Sequence, residues 1–366
     1  MSTKRIKVGI LGVHPDKGWA TLAHVPALRA LSADYEIVAI TSNSLENARR
    51  AAHQFDIPHA LTSTDELVAH PEVDLVVVTV KVSNHFELVA AAISAGKSVF
   101  CEWPLGVNLA QAEALAKLAR SKNVHTTIGL QTRAAPIFNY VKDLIRAGYV
   151  GDVISTTLIG SGIGWGESLE ERFRYTADSK SGAGMLHVTF AHSLDAVLYA
   201  LDAKFEKLSA NLAIRRATTR MAESGDIVAM RTPDQIVVSG TLTNGAFLAT
   251  HFRGGLSKGT NFQWEVNGSK GDLIVTSSVG YVGVGGFKLQ GAKEHTLQDL
   301  TVPAEYGDAS TLEGVAENVA LTYERLAIDL SAASHLSPSF DDAVELHRLI
   351  DRIERRAAQD RKSIEP

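Results

Sequence analysis

Two side chains of this sequence suit acid–base chemistry, a histidine and a lysine that lie far apart in the chain. His192 stands in a predicted helix, and an imidazole titrates in a range that is useful for moving protons. Lys81 follows the predicted strand at 74–80, and ligands of open α/β sheets bind at the carboxyl ends of such strands. We predict that both residues are catalytic and contact a substrate. A buried structural histidine and a strand-end surface lysine are the alternatives.

A second histidine, His187, precedes His192 by five residues in the same predicted helix. Five residues turn a helix by about 500°, or about 140° net, so the two rings do not share one face. We place His187 in the predicted substrate set, with a purely structural role as the alternative.

A glycine-containing loop follows the first predicted strand and reads Gly9-Ile-Leu-Gly12-Val-His14-Pro-Asp-Lys17-Gly18-Trp19-Ala20. Dinucleotide-binding turns read G-x-G-x-x-G, because glycines let backbone amides approach a diphosphate at a helix N-terminus. Gly12 and Gly18 take the first and third positions, His14 takes the second, and the loop is one residue longer. The predicted dinucleotide contacts are Gly12, His14, Lys17, Gly18 and Trp19, and a plain surface loop is the alternative.

The second predicted strand ends in Thr41-Ser42-Asn43 and lacks the acidic residue that holds the adenosine ribose of NAD. This absence removes a charge that would repel a 2′-phosphate. Ser42 and Asn43 can bond to such a phosphate, and Arg49 or Arg50 lies on the next helix. The sequence therefore favours NADP over NAD, with a solvated helix face as the alternative for the two arginines.

The elements that must position these residues alternate between strand and helix over the first third of the chain. Strands are predicted at 6–11, 36–41, 74–80, 98–102 and 126–130, and helices at 20–33, 45–54, 65–69, 85–95 and 109–122. This α/β rhythm predicts an N-terminal Rossmann domain over residues 1–130, with a doubly wound parallel sheet. In the predicted helix 20–33, Leu22, Val25, Leu28 and Leu31 would lie on one side.

The regular alternation of strands and helices ends after residue 130. Helices are predicted at 137–146, 187–201 and 340–359, and strands at 153–159, 205–215, 235–242, 246–253, 262–267, 272–276 and 280–289. Turn signals such as Thr243-Asn244-Gly245 indicate hairpins. We predict a second domain, residues 131–366, of the α+β class with a mostly antiparallel open sheet that serves substrate binding and self-association. A last helix that packs back on the first domain is also compatible with the sequence.

Composition argues against several classes of function. The 366 residues are 45% hydrophobic and 21% charged, with a net charge of −5, and no basic tract indicates a nucleic-acid partner. The single cysteine, Cys101, makes no internal disulfide and no cysteine-rich zinc site, and no metal site is predicted. Neither a signal-peptide pattern nor a membrane-spanning apolar run is present, so no membrane partner is expected and a cytoplasmic location is the default.

Three stretches carry a resemblance to a known family. They are Asn84-His85, the run AGKSVFCEWPL at 95–105, and His192-Ser-Leu-Asp195. Through them the chain resembles the glucose–fructose oxidoreductase/inositol dehydrogenase (Gfo/Idh/MocA) family over nearly its whole length. Within that family, Lys17–Ala20, Glu102-Trp103 and Phe190–His192 are most similar to the fungal galactose-regulon co-repressor branch, which binds dinucleotide and is regarded as a regulator.

The resemblance implies roles for residues near the predicted strand ends. Glu102 would contact the cofactor ribose, and Asn84 and His85 would line the cofactor cleft. The remaining members of the predicted cofactor set are Val80, Trp103 and Gln131.

Two departures from the family pattern concern proton transfer. The family's catalytic motif is Glu-Lys-Pro, and Trp103 stands where its lysine would be. Val188 stands where the family often has an aspartate. An indole neither carries a charge nor titrates, so any proton transfer would fall to His192 and Lys81.

The substrate side is predicted to begin at Gly160–Gly166, where glycines let the backbone approach a ligand and Trp165 provides an apolar wall. Arg133 stands at the predicted domain junction, and an arginine can clamp a carboxylate. The full predicted substrate set is Lys81, Trp103, Arg133, Trp165, Tyr175, His187 and His192.

Three functions are compatible with these features. The first is an NAD(P)-dependent oxidoreductase that transfers hydride to or from a hydroxyl or carbonyl of a sugar, polyol or cyclic diol. The second is a catalytically silent dinucleotide-binding regulator with a protein partner, and the third is a redox-neutral enzyme that holds NAD tightly. The open sheet of the second domain predicts a homodimer or homotetramer.

Overall fold

A computed structural model describes residues 5–294, 296–307, 312 and 314–362. The chain forms two compact units. The first unit comprises residues 1–134 and 308–347, and the second comprises residues 135–307 and 348–366. The domain boundary predicted after residue 130 stays a prediction; in the structure, residues 131–134 and 308–347 belong to the first unit.

Strands and helices alternate through residues 5–134, as the sequence predicts. The strands are β1 (Ile6–Leu11), β2 (Tyr35–Thr41), β3 (His59–Ala60), β4 (Leu75–Val78), β5 (Ser98–Glu102) and β6 (Thr126–Gly129). The helices are α1 (Val25–Ala30), α2 (Leu45–Gln54), α3 (Thr64–Ala69), α4 (His85–Ser94) and α5 (Leu109–Lys122). The six strands form one parallel sheet in the order β3-β2-β1-β4-β5-β6, which confirms the predicted Rossmann-type sheet.

The prediction of one regular helix over residues 20–33 is wrong in detail. A π-helical turn, Ala20–His24, precedes α1, and the Val25 amide donates to the Ala20 carbonyl, five residues back. A π turn rotates the following residues relative to an α-helix. Leu22, expected on the buried side, is therefore 52% exposed, while His24 is fully buried.

Residues 135–307 carry α6 (Pro136–Arg146) and α7 (Ala191–Leu201), the latter preceded by a π-helical turn, Leu186–Phe190. The strands are β7 (Val153–Gly162), β8 (Ser168–Leu169), β9 (Phe205–Ala213), β10 (Thr218–Met221), β11 (Ile227–Ala229), β12 (Gln235–Leu242), β13 (Phe247–Gly254), β14 (Phe262–Gly268), β15 (Asp272–Ser277), β16 (Lys288–Ala292) and β17 (Gln298–Asp299). Eight strands form one sheet in the order β17-β16-β15-β14-β7-β13-β12-β9. Only the β7–β13 pair among them is parallel within the described residues, which confirms a mostly antiparallel sheet.

This sheet has one buried and one open face. Trp264, Phe252 and Ile236 are buried, and Phe138 of α6 stacks on Trp264 at 5.7 Å between ring centroids. On alternate positions, Ile154 and Phe247 are more than half exposed. The alternation follows from the two-residue period of a strand.

The strand predicted at 280–289 is wrong. A 3₁₀ turn, Val282–Val284, occupies its first half, and β16 begins only at Lys288. Gly285 and Gly286 adopt positive φ angles of 83° and 69°, which interrupt an extended strand.

Two helices close the described chain, α8 (Val315–Ala332) and α9 (Phe340–Lys362). The sequence analysis missed α8. Within the first unit its side chains Val319, Tyr323 and Leu326 are buried in one core with Val8 and Phe100 of the sheet. No helix within the described ranges is both long enough and apolar enough to cross a membrane.

Candidate active site

The loop after β1 needs its two glycines for different reasons. Gly12 has a φ of 100°, and a Cβ there would lie 2.7 Å from Cγ1 of Val80, so no side chain fits. Gly18 has a φ of 97°, but a Cβ there would meet no heavy atom within 4 Å. Gly12 therefore lets β1 and the end of β4 pack closely, while Gly18 provides only the backbone conformation beside an open space.

The amides of this loop are partly used within the protein. Those of Gly12 and Val13 donate to the Thr41 carbonyl at 3.2 and 2.9 Å, so they hold the loop to the end of β2. His14 takes part in the loop's own structure, because its Nδ1 accepts from the Asp16 amide at 3.1 Å. A ligand at this loop would meet the backbone beyond Val13.

One buried donor in this loop lacks an acceptor. Nε1 of Trp19 is shielded from solvent and makes no hydrogen bond within the described part of the chain. A buried polar group without a partner is rare in folded proteins. Together with the open space beside Gly18 and the exposed ammonium group of Lys17, this donor fits an anionic group such as a diphosphate.

At the end of β2, the predicted pair Ser42 and Asn43 is held by neighbouring side chains. The Ser42 hydroxyl donates to Oδ1 of Asn43 at 3.3 Å, and Nδ2 of Asn47 donates to the same oxygen at 2.9 Å. Asn43 is exposed and Ser42 half-buried, so both are accessible at the sheet edge.

The Glu102 carboxylate, at the end of β5, is the most firmly held group of the site. Nε2 of Gln131 donates to both of its oxygens, at 2.7 and 2.9 Å. Nε2 of His24 lies 2.9 Å from Oε1. A Cβ on Gly129 would lie within 2.8 Å of the carboxylate, so the adjacent strand needs a glycine there.

The tautomer of His24 follows from the Glu102 carboxylate. A carboxylate oxygen only accepts, so Nε2 of His24 carries a proton and donates to Glu102. In the imidazole tautomer with its proton on Nε2, Nδ1 is an acceptor, and the hydroxyl of Tyr323, 2.8 Å away, donates to it. Burial raises the pKa of this phenol well above its usual value, so the phenol keeps its proton. His24 and Tyr323 thus join Gln131 in fixing one carboxylate.

The sequence analysis missed both His24 and Tyr323. His24 was assigned to a regular helix, and the π turn brings it inward instead. Tyr323 lies on α8, which was not predicted. The periodic apolar positions Val315, Val319, Tyr323 and Leu326 were the available signal for that helix.

Trp103 fills the position of the family lysine with a buried ring. It is only 5% exposed, and its ring centroid lies 4.6 Å from that of His347 on α9. The indole packs as part of the interior of the first unit and offers no charge to a ligand.

The predicted residues at the end of β4 are in different environments. Both ring nitrogens of His85 face carbonyl oxygens, Nδ1 that of Pro104 at 2.8 Å and Nε2 that of Val80 at 2.9 Å. Burial lowers the pKa of His85, against the effect of these two carbonyls. His85 therefore joins two backbone segments, whereas Lys81 and Asn84 are exposed at the strand end.

Arg133, predicted to contact substrate, is engaged within the first unit. Its NH1 donates to Oδ1 of Asp342 at 2.7 Å, and its backbone carbonyl accepts from NH1 of Arg325 at 2.9 Å. Burial acts to raise the pKa of Asp342, but Arg133 and Ser339 outweigh it and hold that pKa below its usual value. This guanidinium has a structural partner.

In the second unit, His192 lies in the first turn of α7, after the π turn. It is 4% exposed, and its ring stands edge-on to Tyr281 with centroids 5.5 Å apart. His187, in the π turn, lies 3.6 Å from Oε1 of Glu354. Burial lowers the pKa of His187 to about 4, so this contact is not a charged pair at neutral pH.

Trp165, which was predicted to form an apolar wall, is a strained and buried residue. Trp165 has a φ of 60°, a conformation that is rare for a bulky side chain, and is 6% exposed. Its Nε1 donates to the Thr176 carbonyl at 3.3 Å. Tyr175 is half-buried, and burial raises the pKa of its phenol.

One cluster in the first unit has metal-ligating side chains, namely His59, His70 and Glu72. Two of these groups already have partners, because Nδ1 of His70 accepts from the Glu72 amide and the Glu72 carboxylate pairs with Nζ of Lys7. The cluster carries no assignment here.

A parallel sheet in this order, with a glycine loop after β1 and a fixed carboxylate after β5, defines an NAD-binding oxidoreductase fold of the Rossmann class. Residues 6–130 match the model of the oxidoreductase family with an NAD-binding Rossmann fold, and residues 136–277 match that of the Gal80p C-terminal domain. The chain therefore carries a Rossmann domain of the Gfo/Idh/MocA oxidoreductase family followed by a Gal80p-like C-terminal domain, which confirms the resemblance seen in the sequence.

Curated relatives include both regulators and dehydrogenases. The galactose/lactose metabolism regulatory protein GAL80 of Saccharomyces cerevisiae is 29% identical over 294 residues, which cover 75% of this chain and 68% of that protein. The dehydrogenase aclE of Aspergillus oryzae is 38% identical over 208 residues, which cover 54% of this chain and 56% of that protein.

The solved structures that this chain resembles also include both a regulator and a dehydrogenase. A super-repressor mutant of Gal80p from S. cerevisiae aligns with a TM-score of 0.88 at 25% identity, over 97% of each chain. A levoglucosan dehydrogenase in complex with NADH and levoglucosan aligns with a TM-score of 0.84 at 19% identity, over 97% of this chain and 98% of that one. The second likeness shows the fold alone.

Proposed function

We propose that this protein is an NAD(P)-dependent oxidoreductase that transfers hydride to or from a hydroxyl or carbonyl group of a sugar, polyol or cyclic diol. The observation that carries the proposal is the Glu102 carboxylate, which His24 and Gln131 hold at the end of β5, beside the space that Gly129 leaves, in the same unit as the glycine loop. A carboxylate held by so many partners is suited to receive a ribose hydroxyl without rearrangement. The relative named as a dehydrogenase, aclE, supports the activity.

The proposed cofactor site consists of first-unit residues. The loop residues Gly12, His14, Lys17, Gly18 and Trp19 would face the diphosphate, and Ser42 and Asn43 the adenosine ribose. Val80, Asn84, His85, Glu102, Trp103 and Gln131 would surround the nicotinamide end. The nicotinamide ring would donate or accept the hydride when bound, and the protein would supply position and electrostatics.

Proton transfer is the part of the reaction that this chain must perform with its own side chains. With Trp103 in place of the family lysine, we assign it to His192 and Lys81. The exposed Lys81 lies at a strand end, where it can approach a substrate oxygen, and His192 begins the helix that carries the family motif. Arg133, Trp165, Tyr175 and His187 complete the proposed substrate set. The open face of the large sheet supports a proposed homodimer or homotetramer.

A substrate panel tests this proposal. The protein is mixed with NAD or NADP and a set of sugars, inositols and cyclic diols, and the nicotinamide absorbance is followed. We expect turnover with at least one substrate, and a loss of about 100-fold or more in kcat for His192→Ala, with dinucleotide affinity retained. Tight dinucleotide binding without turnover across the panel would contradict the enzymatic proposal.

A second candidate function is a dinucleotide-binding regulator with a protein partner. The buried indole of Trp103, packed on His347, favours it because the family's proton-handling ammonium is missing. The similarity to the regulatory protein GAL80 also favours it. Under this candidate, Lys81→Ala and His192→Ala leave dinucleotide affinity unchanged and no substrate is turned over by either variant or by the unmodified chain.

A further inference from the structure

A charged pair connects the glycine loop to helix α2. NH2 of Arg50 donates to both carboxylate oxygens of Asp16, at 3.4 and 3.1 Å. Both side chains are more than half exposed, at 53% and 59%, so a bound molecule can reach them. Asp16 lies in the loop between Gly12 and Gly18, and Arg50 lies in the middle of α2.

The same guanidinium is also connected, through Asn47, to the end of β2. NH1 of Arg50 lies 3.5 Å from Oδ1 of Asn47, and Nδ2 of Asn47 donates to Oδ1 of Asn43. Asn47 is itself fixed, because its backbone N–H donates to the Ser44 hydroxyl that caps α2. Arg50 therefore stands between the phosphate loop and the two neutral residues at the end of β2.

The end of β2 is where Rossmann proteins distinguish NAD from NADP. An acidic residue there accepts a hydrogen bond from the 2′-hydroxyl of NAD, and an arginine nearby accommodates the 2′-phosphate of NADP. In this chain, Ser42 and Asn43 are neutral, but Asp16 brings a carboxylate to the same neighbourhood from the glycine loop. The acidic group missing from β2 is supplied by another element.

We infer that the Asp16–Arg50 pair sets the cofactor preference and that the intact pair favours NAD over NADP. The inference rests on the proposed dinucleotide site. A 2′-phosphate brings nearly two negative charges, and to reach Arg50 it must displace Asp16 and stay beside that carboxylate. A 2′-hydroxyl, in contrast, can donate to Asp16 and leaves the pair intact.

This inference is opposite to the preference predicted from the sequence. The NADP prediction rested on the neutral residues after β2 and on two arginines in α2 regarded as available. The structure gives one of them, Arg50, an acidic partner, because Asp16 of the glycine loop pairs with its guanidinium.

The test is a fluorescence titration of the full chain with NADH and NADPH, in the unmodified protein and in single variants. The unmodified protein is expected to bind NADH at least about fivefold more tightly than NADPH. Asp16→Asn frees Arg50 and is expected to tighten NADPH binding by about five- to tenfold, with little change for NADH. Arg50→Gln is expected to weaken NADPH more than NADH.

Two matched variants control for charge alone. Arg49→Gln removes the same charge from the neighbouring exposed position of α2, and Asp65→Asn removes an exposed acid from α3. Both are expected to leave the NADH/NADPH ratio unchanged. The shift caused by Asp16→Asn should also shrink at high salt, because exposed charges are screened.

The outcomes separate this inference from the proposed function. If the protein binds dinucleotide but prefers NADPH, or if Asp16→Asn leaves the ratio unchanged, the inference is overturned and the dinucleotide site stands. If the unmodified, folded protein binds neither nucleotide, the proposed function is overturned and this inference with it.

Discussion

The candidate site residues of the two units differ in their described contacts. In the first unit, His24, Gln131 and Tyr323 form a hydrogen-bonded chain that converges on the Glu102 carboxylate. In the second, the described contacts of His192 and His187 lead to separate neighbours, Tyr281 and Glu354.

This difference shows which unit constrains its candidate site more strongly. A convergent, buried network has few arrangements, so it fixes one group in place for a ligand. Side chains that each contact a different neighbour leave the chemistry of a site less determined. The first unit therefore defines the ligand class, while the substrate proposed for the second unit depends on residues whose roles must be measured.

The largest expected effect tests the loop that precedes this network. Gly12→Val places a side chain against Val80 at a backbone φ of 100°, so we expect dinucleotide affinity to fall by at least about 100-fold in a titration with NADH. Gly18→Ala is the control, because it meets a similar backbone strain at a φ of 97° but no neighbouring atom, and so should cost less. Equal losses in the two variants would contradict the distinction between the glycines. Gly12→Ala provides a milder variant if the valine prevents folding.

The network itself should contribute strongly to stability. His24→Phe leaves the buried hydroxyl of Tyr323 without its acceptor and takes one donor from Glu102, so the free energy of unfolding should fall by about 2–3 kcal/mol in urea. Tyr323→Phe removes only the hydroxyl and should cost about 1 kcal/mol. If His24→Phe costs less than about 0.5 kcal/mol, the convergent network is not a strong constraint.

His187 gives the second unit a pH dependence. Its pKa is about 4 in the folded chain against an ordinary value of 6.5, so the unfolded chain binds more protons between these values. Stability should therefore fall as the pH is lowered from 6.5 towards 4, by on the order of 2 kcal/mol. His187→Asn should flatten this part of the profile, measured by urea unfolding at each pH. The exposed His251 is the control, and an identical flattening in His251→Asn would refute the assignment.

The smallest expected effect concerns Arg133. Its partly buried pair with Asp342 should make Arg133→Gln lose about 1 kcal/mol of unfolding free energy. Arg120 pairs with the neighbouring Asp341 in an exposed position, so Arg120→Gln should cost close to nothing. Equal costs would show that burial does not distinguish the two pairs.

The sequence predicted the parts of the fold that periodicity controls. The β-branched run at 74–80 contains β4, which lies inside the parallel sheet, and the Thr243-Asn244-Gly245 turn joins β12 to β13. Short edge strands such as β3 and β17 were missed because two residues carry no periodic signal.

The site was predictable only in part, for a physical reason. Gly12 and Gly18 were predicted because a glycine loop after a strand has a local signature, and Glu102 through the family motif. His24 and Tyr323 are separated from Glu102 by 78 and 221 residues along the chain, and only the fold brings them together. No local pattern predicts a hydrogen bond between such distant residues.

The most direct test of the first unit's role is calorimetric titration of the intact chain with NADH, beside its Glu102→Gln variant. We predict saturable binding of the reduced dinucleotide by the unmodified chain, and binding weakened by about tenfold in the variant, because an amide accepts hydrogen bonds less strongly than a carboxylate and also places an NH₂ group against Gln131. A folded, unmodified chain that releases no binding heat and shows no change in nicotinamide fluorescence would contradict the account.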